Sequence, residues 1–424
     1  MAIHVIDAPM GTGKTSAMIN YMREAPADEH FVFVTPFLSE SERIVEGCPE
    51  KEFVSPTQVG YIDDDGKPSD DYRSKLMDFK ELLRVGRNIA TTHALFQRFD
   101  PEACELIASS NYTLVMDEVC DLIAPYDITL YDAGTLSDKY ITTTSDGHAL
   151  WREDAAAYKG RFLDYKYDCD LGVLWQYHRT SYIQVFLPEL FAAFKECFLM
   201  TYMFDSQIQR CYFDLHGLEY DQIYVDGDSP ETYTITSNPR TYFILGVKEK
   251  VHILYDRKLN SIGEDYHSLS RRWYEQIARE KDLKQMQDNT YNFFRNKMRA
   301  KSTDCLWTCY KEIHSLTDDG SRGAPMRICP RGYKKQYVSC NARATNSYKD
   351  RHYLAYLINL FPLPELKNFL NGRGIDFNRD EWALSMMVQW VWRSAIRDGE
   401  EIWVYVPSRR MRTLLEQWLE EVNA

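Results

Sequence analysis

Ile3-His4-Val5-Ile6-Asp7-Ala8-Pro9-Met10-Gly11-Thr12-Gly13-Lys14-Thr15-Ser16 decides the fold of this chain. The apolar run from Ile3 to Ile6 reads as a buried strand, and Ser16 to Met22 reads as a helix. Between them lies a glycine-rich turn that ends in Lys-Thr. Strand, turn and helix in this order form a phosphate-binding loop. Glycines let the backbone wrap an anion so that several N–H groups point at it. The helix start adds the positive end of its dipole. Ala8, Pro9, Met10, Gly11, Thr12, Gly13, Lys14, Thr15 and Ser16 are therefore the candidate ATP-binding residues. Lys14 is expected to reach the β- and γ-phosphates, and the Thr15 hydroxyl to ligate Mg²⁺. Ala8 stands where the general pattern has its first glycine.

Working outward, short apolar runs alternate with helical stretches. Phe31 to Val34 reads as a second strand, ended by Thr35-Pro36. Leu38 to Val45 reads as a helix with Ser39 as its N-cap, and Leu76 to Leu83 as another. Asn88 to Thr92 is a third strand, followed by a helix from His93 to Phe99. Tyr112 to Met116 is a fourth strand, and Asp117-Glu118 ends it. This rhythm predicts a parallel α/β sheet with ligands at the strand C-termini. An adjacent carboxylate pair there divides two tasks of phosphoryl transfer to water: Asp117 for Mg²⁺, Glu118 for the attacking water.

Residues 120–181 break the rhythm. They are rich in Tyr, Asp and Thr and are expected to form an inserted β subdomain. Pro188 to Phe194 reads as a helix and Phe198 to Met203 as a strand. The polar stretch from Gly217 to Arg240 is the expected domain boundary. The expected domains are thus 1–240 and 241–424.

In the second half, Val251 to Tyr255 reads as a strand, Tyr266 to Ala300 as one long basic helical region, and Gln336 to Cys340 as a strand. Asp350 to Leu360 and Asp380 to Arg397 read as helices. Ile402 to Val406 is a strand and Arg410 to Val422 an amphipathic helix. Gln389, Arg393 and Arg397 fall at i, i+4 and i+8, one face of a helix, where two guanidiniums and an amide could meet a γ-phosphate. An ordinary solvated helix face explains the same spacing. The segment containing Arg343, Thr345 and Asn346 follows an expected strand and suits contacts to nucleic-acid phosphates. Thr35, Pro36, Thr91, Thr92 and His93 occupy similar strand ends, although helix capping alone accounts for such residues equally well.

Bulk composition narrows the partners. The chain has 424 residues and a net charge of -13, which by itself argues against nucleic acid. The charge is uneven: from Arg271 to Arg351 there are eighteen Lys/Arg against nine Asp/Glu. A basic zone in an acidic protein can be a nucleic-acid path, and an isolated one is more often a solvated surface. No run approaches the ~18 apolar residues of a membrane span, and the first residues already form a strand rather than a signal peptide, so a cytoplasmic protein with no membrane partner is expected. Ten scattered cysteines fit a reducing compartment. Cys305 and Cys309 lack a zinc-site spacing and read as core thiols.

With these motifs in hand, the chain resembles superfamily 2 (DEAD/DEAH-like) helicases. Ala8 to Thr15 is especially similar to the first motif of phage-encoded and herpesvirus-type origin-binding helicases. The resemblance implies two RecA-like P-loop domains in tandem, with ATP and Mg²⁺ between them and nucleic acid across both. By position, Thr35-Pro36 and Thr91-Thr92-His93 correspond to strand-contacting motifs, and Asp117-Glu118 to motif II. Thr201-Tyr202-Met203 falls at motif III, Arg343 to Asn346 at motif V, and Gln389 to Arg397 at motif VI. The second arginine of motif VI sits one residue later than usual. The expected function is an ATP-dependent helicase or translocase on single-stranded or forked nucleic acid, DNA favoured over RNA. It would serve phage or prophage DNA replication in the host cytoplasm, alongside replication proteins. A terminase-like packaging ATPase, or a nucleic-acid-stimulated ATPase that does not unwind, would share the first two motifs.

Overall fold

A computed structural model describes residues 1–60, 69, 72–126, 128–242, 244, 246–311, 328–341 and 347–422. They fall into two compact units. One comprises Met1–Ala8, Thr12–Arg240 and Leu363–Phe377; the other comprises Pro9–Gly11, Thr241–Pro362 and Asn378–Ala424. Both are α/β with a wholly parallel central sheet, the tandem RecA-like class.

The first unit starts with β1 (Ala2–Asp7), α1 (Lys14–Glu24), β2 (Phe31–Thr35) and α2 (Leu38–Gly47). Next come α3 (Lys75–Arg84), β3 (Ile89–Thr92), α4 (His93–Phe96), α5 (Pro101–Ser109) and β4 (Thr113–Asp117). Strands β2 and β4 are buried along almost their whole length, as expected of strands covered on both faces. One helix start differs from expectation: Phe37, not Ser39, precedes α2. Helix α3 is capped by the Ser74 hydroxyl, which accepts the Met77 N–H at 3.2 Å.

The insertion is mixed rather than all β. It contains β5 (Ile123–Pro125), α6 (Leu130–Lys139), β6 (Ile141–Thr143), β7 (Ala149–Trp151), α7 (Leu163–Leu171), β8 (Leu174–His178) and β9 (Ser181–Val185). Its own core gathers Ala133, Leu136, Phe162, Leu174 and Tyr182. The chain then regains the main sheet through α8 (Glu189–Ala192), β10 (Glu196–Thr201), α9 (Ile208–His216) and β11 (Asp221–Gln222). The order across the sheet is β11-β1-β10-β4-β2-β3. Residues 217–240, the expected domain boundary, hold a hairpin of β12 (Tyr224–Asp226) and β13 (Thr234–Thr236).

The second unit has α10 (Val247–Lys250), β14 (Val251–Ile253), α11 (Arg257–Asn260), α12 (Glu280–Asn292), β15 (Cys305–Thr308) and β16 (Tyr353–Tyr356). Helix α13 (Pro364–Asn371) returns to the first unit. Helix α14 (Arg379–Val391), β17 (Ile402–Tyr405) and α15 (Arg409–Val422) complete the second. The sheet order is β14-β17-β16-β15.

Several expectations fail here, each for a physical reason. The supposed helix 350–360 instead contains the inner strand β16. Leu354, Leu357 and Ile358 mimic helical spacing, but they are a short run buried on both faces. Among the described residues, the supposed strand at Gln336 to Cys340 makes one isolated bridge, Tyr337 to Trp307. The core-thiol reading, by contrast, holds: Cys305 lies on β15, and both Cys305 and Cys309 are buried thiols. The long helix is broken: π-helical turns cover Trp273–Ile277 and Phe293–Lys297. Ala278 is extended, and the Asp282 carboxylate accepts the Arg279 N–H at 2.9 Å to start a new helix. Among the described residues no helix is long and apolar enough to cross a membrane.

Candidate nucleotide site

The parallel register of three strands builds the site. Asp7, the last residue of β1, pairs with Thr201 at the end of β10, and Met200 pairs with Asp117 at the end of β4. The phosphate turn and the acidic pair therefore leave the same sheet edge, one strand apart. That edge is the carboxyl side, where open α/β sheets bind ligands.

The turn itself has the backbone that its glycines permit. Gly11 has φ 85° and Gly13 φ 83°, both in the left-handed region. A Cβ added at Gly11 would meet no described atom within 4 Å, so the approach to that part of the turn is open. Gly13 caps α1, and its carbonyl accepts the Ala17 N–H at 2.8 Å. Ala8 is fully buried and donates its N–H to the Thr201 carbonyl at 3.0 Å. Its own carbonyl accepts a hydrogen bond from Lys14 Nζ. The lysine thus folds back over the turn that it follows.

Asp117 is partly buried, and its carboxyl is pushed up to about 7, first by burial and second by the neighbouring Glu118, against the opposing Lys14 charge. Two carboxyls at one strand end without enough positive charge form a donor set that a divalent cation suits. Thr201 Oγ1, on the strand between, is buried with no hydrogen-bond partner among the described residues. An orphaned hydroxyl at this edge is a further group that a bound ligand or water can satisfy. Glu118 has φ 64°, unusual for a residue with a side chain, and donates its N–H to the Met200 carbonyl at 2.9 Å.

Residues that the sequence did not single out support this edge. The Asp7 carboxylate accepts the N–H groups of Met203 and Phe204 at 2.7 and 2.8 Å. Burial pushes the Asp7 carboxyl up from its ordinary value, and these two bonds oppose that shift. Met203 is itself left-handed, with φ 58°. The Gln209 side chain, fully buried on α9, accepts the Cys120 N–H at 2.8 Å and fixes the chain just past the acidic pair. The only sequence signal for Asp7 was its place directly before the turn; nothing marked Gln209.

The expected nucleic-acid contacts are placed unevenly. The side chains of Thr35, Thr91 and His93 are buried. His93 Nε2 instead lies 3.1 Å from the Asp117 backbone carbonyl. Pro36 and Thr92 are partly exposed. Arg343, Thr345 and Asn346 lie outside the described residues. The arginine stripe is also corrected. Helix α14 ends at Val391, Ser394 is extended, and a 3-10 turn covers Ala395–Asp398. Gln389, Arg393 and Arg397 therefore do not share one helix face. Arg393 is buried and Arg397 exposed.

Comparison with known proteins adds a family. A Bacillus subtilis (strain 168) protein described as "SPbeta prophage-derived uncharacterized protein YonV" is 35% identical over 99% of this chain and 98% of its own length. The chain belongs to the YonV family. Residues 246–419 match the family description "YonV C-terminal Rossmann-like domain", in keeping with the parallel sheet of the second unit. Among solved structures, the chain is similar to S. tokodaii Xpd4 at 10% identity and a TM-score of 0.48, over 98% of this chain and 94% of that one. It is also similar to the DUF1998 helicase MrfA bound to DNA and AMPPNP, at 10% identity and a TM-score of 0.35, over 99% of this chain and 48% of that one.

Proposed function

We propose that this YonV-family chain is an ATP hydrolase of the superfamily 2 helicase kind that moves along nucleic acid, DNA in preference to RNA. The observation that carries the reading is the register that sets the phosphate turn and Asp117-Glu118 one strand apart on a single sheet edge.

In this reading the turn from Ala8 to Ser16 wraps the triphosphate, and Lys14 leaves the Ala8 carbonyl to neutralise the β- and γ-oxygens. Thr15 and Asp117 would hold Mg²⁺, which when bound would supply further positive charge to those oxygens. Glu118 orients a water molecule in line with the γ-phosphorus and accepts its proton. The water oxygen bonds to that phosphorus, the bond to the β–γ bridging oxygen breaks, and ADP leaves. Arg393 and Arg397 are the candidates for stabilising transition-state charge from the second unit's sequence.

Nucleic acid enters through charge. Arg271, Arg272, Lys281, Lys284, Arg295, Arg299, Lys301, Lys334 and Lys335 are exposed on the second unit, in a chain that is acidic overall. Such a surface suits phosphates without reading sequence. Pro36, Thr92, Arg343, Thr345 and Asn346 complete the proposed path. The prophage origin of the B. subtilis relative supports a role in phage or prophage replication, in the host cytoplasm.

Phosphate release from ATP by the wild type and by Lys14→Ala tests the hydrolytic site. Loss of turnover in the variant is expected; equal turnover would contradict the assignment. Displacement of a strand from a tailed duplex then separates unwinding from stimulated hydrolysis alone.

A further inference from the structure

The two left-handed glycines of the phosphate turn have unlike surroundings. A Cβ built on Gly11 would meet no described atom within 4 Å, whereas Gly13 is covered by an aromatic ring. A Cβ built on Gly13 would lie 2.5 Å from Cδ2 and Cε2 of Tyr233 and 2.6 Å from its Cζ. The ring therefore rests directly on the glycine that starts α1. It arrives there from the loop of the β12–β13 hairpin, two hundred residues later in the chain.

The hairpin is fastened in place. The two N–H bonds of the Asn20 amide on α1 go to the carbonyls of Pro230 and Tyr233, each at 2.9 Å. Within the loop, Thr232 Oγ1 accepts the N–H groups of Asp228 and Ser229 at 3.2 and 3.0 Å. The Tyr233 N–H returns to the Ser229 carbonyl at 3.0 Å. Gly227 at φ 114° is packed so closely that an added Cβ would fall 2.5 Å from the Thr232 carbonyl oxygen. Ring position is thus set by hydrogen bonds to the loop backbone from Asn20, Thr232 and the loop itself, while the ring remains partly exposed.

We infer that Tyr233 is the stacking surface for the base of the bound nucleotide, with Asn20 and the hairpin as its mount. An aromatic face held rigidly against the phosphate turn offers what a nucleobase needs beyond the phosphate contacts. Stacking is tolerant of base identity because every base has a π-face. The inference rests on the reading of Ala8 to Ser16 as a nucleotide site.

The test compares ATP with inorganic tripolyphosphate by calorimetric titration of the full chain. Tyr233→Ala is expected to weaken ATP about tenfold or more and to leave tripolyphosphate unchanged. Tyr233→Phe keeps the ring and should bind ATP as the wild type does. Asn20→Ala, which releases the mount, should weaken ATP in the same direction with tripolyphosphate again unchanged. Equal weakening of both ligands by Tyr233→Ala would overturn the inference, because the ring would then only shape the turn. Unchanged ATP binding in Tyr233→Ala would overturn it too and would leave the nucleotide site intact. A wild type that binds neither ligand would defeat the nucleotide reading itself, and this inference with it. Melting curves of each variant show that the fold is retained.

Discussion

The carboxylate of Asp7 accepts the backbone N–H of Met203 at 2.7 Å and that of Phe204 at 2.8 Å. The strand that delivers the phosphate turn is thereby locked to the turn that follows β10. Removing this acceptor leaves two N–H groups without it, at a cost of about 1–3 kcal/mol for each group left buried. Asp7→Ala should lower stability by at least that much in urea denaturation. A variant as stable as the wild type would show that water replaces the carboxylate freely.

The pH dependence of that lock has a definite sign. Burial raises the Asp7 carboxyl above its unfolded value. The stability it contributes is therefore full below the unfolded pKa and is lost as pH rises through the folded one. The stability advantage of wild type over Asp7→Asn should shrink on going from acid toward neutral pH. An advantage that grows with pH would mean that the two N–H bonds outweigh desolvation.

Glu118 carries backbone strain where the chemistry is proposed. A left-handed residue with a side chain costs about 1 kcal/mol that glycine avoids. Glu118→Gly is expected to hold or raise the melting temperature while ATP turnover falls by roughly a hundredfold or more. Glu118→Gln should lose turnover similarly and still bind ATP. Turnover that survives both substitutions would remove Glu118 from the hydrolytic role.

Arg393 and Arg397 differ in burial, so their variants should separate. Arg393 is only 7% exposed, and Arg393→Ala should destabilise the fold first. Arg397 is exposed. If it stabilises the transition state, Arg397→Ala should leave melting unchanged and reduce kcat by about 10³-fold or more with KM preserved. A loss confined to KM would instead make it a binding residue.

Arg373 ties α13 to the inserted subdomain. Its guanidinium lies 3.7 Å from the Phe369 ring centroid and 4.6 Å from that of Trp175, and Nη2 donates to the Asp146 carbonyl at 3.0 Å. Gly147 leaves room for it: an added Cβ would lie 2.9 Å from Nη2. Arg373→Ala should cost on the order of 1–2 kcal/mol and speed proteolysis within residues 121–187. Unchanged proteolysis would show that apolar packing of α13 suffices.

The sequence was most legible where local chemistry and tertiary role coincide. The phosphate turn needs glycines, lysine and threonine in fixed order, so Gly11 to Thr15 announced both a conformation and a ligand. Strands β2 and β4 were readable because their apolar runs are short and end in Thr35 and Asp117. Legibility failed where burial on all sides erased periodicity, as around β16, where Leu354 and, just past the strand, Leu357 follow helical spacing by chance. It failed again where a helix stops without glycine or proline. Asp282 caps the start of α12, and α14 stops at Val391, whose carbonyl accepts the hydroxyl of the extended Ser394 at 2.6 Å before Arg397 is reached. Long-range partners such as Asp7 with Met203, Gln209 with Cys120, and Tyr233 with Gly13 leave no local pattern at all.

The most direct test of the central claim is the steady-state rate of ATP hydrolysis by the full chain, with and without single-stranded DNA. Mg²⁺-dependent hydrolysis is expected, stimulated severalfold by single-stranded DNA and abolished by Lys14→Ala. Hydrolysis indifferent to every DNA and RNA tested, or no hydrolysis at all, would contradict that claim.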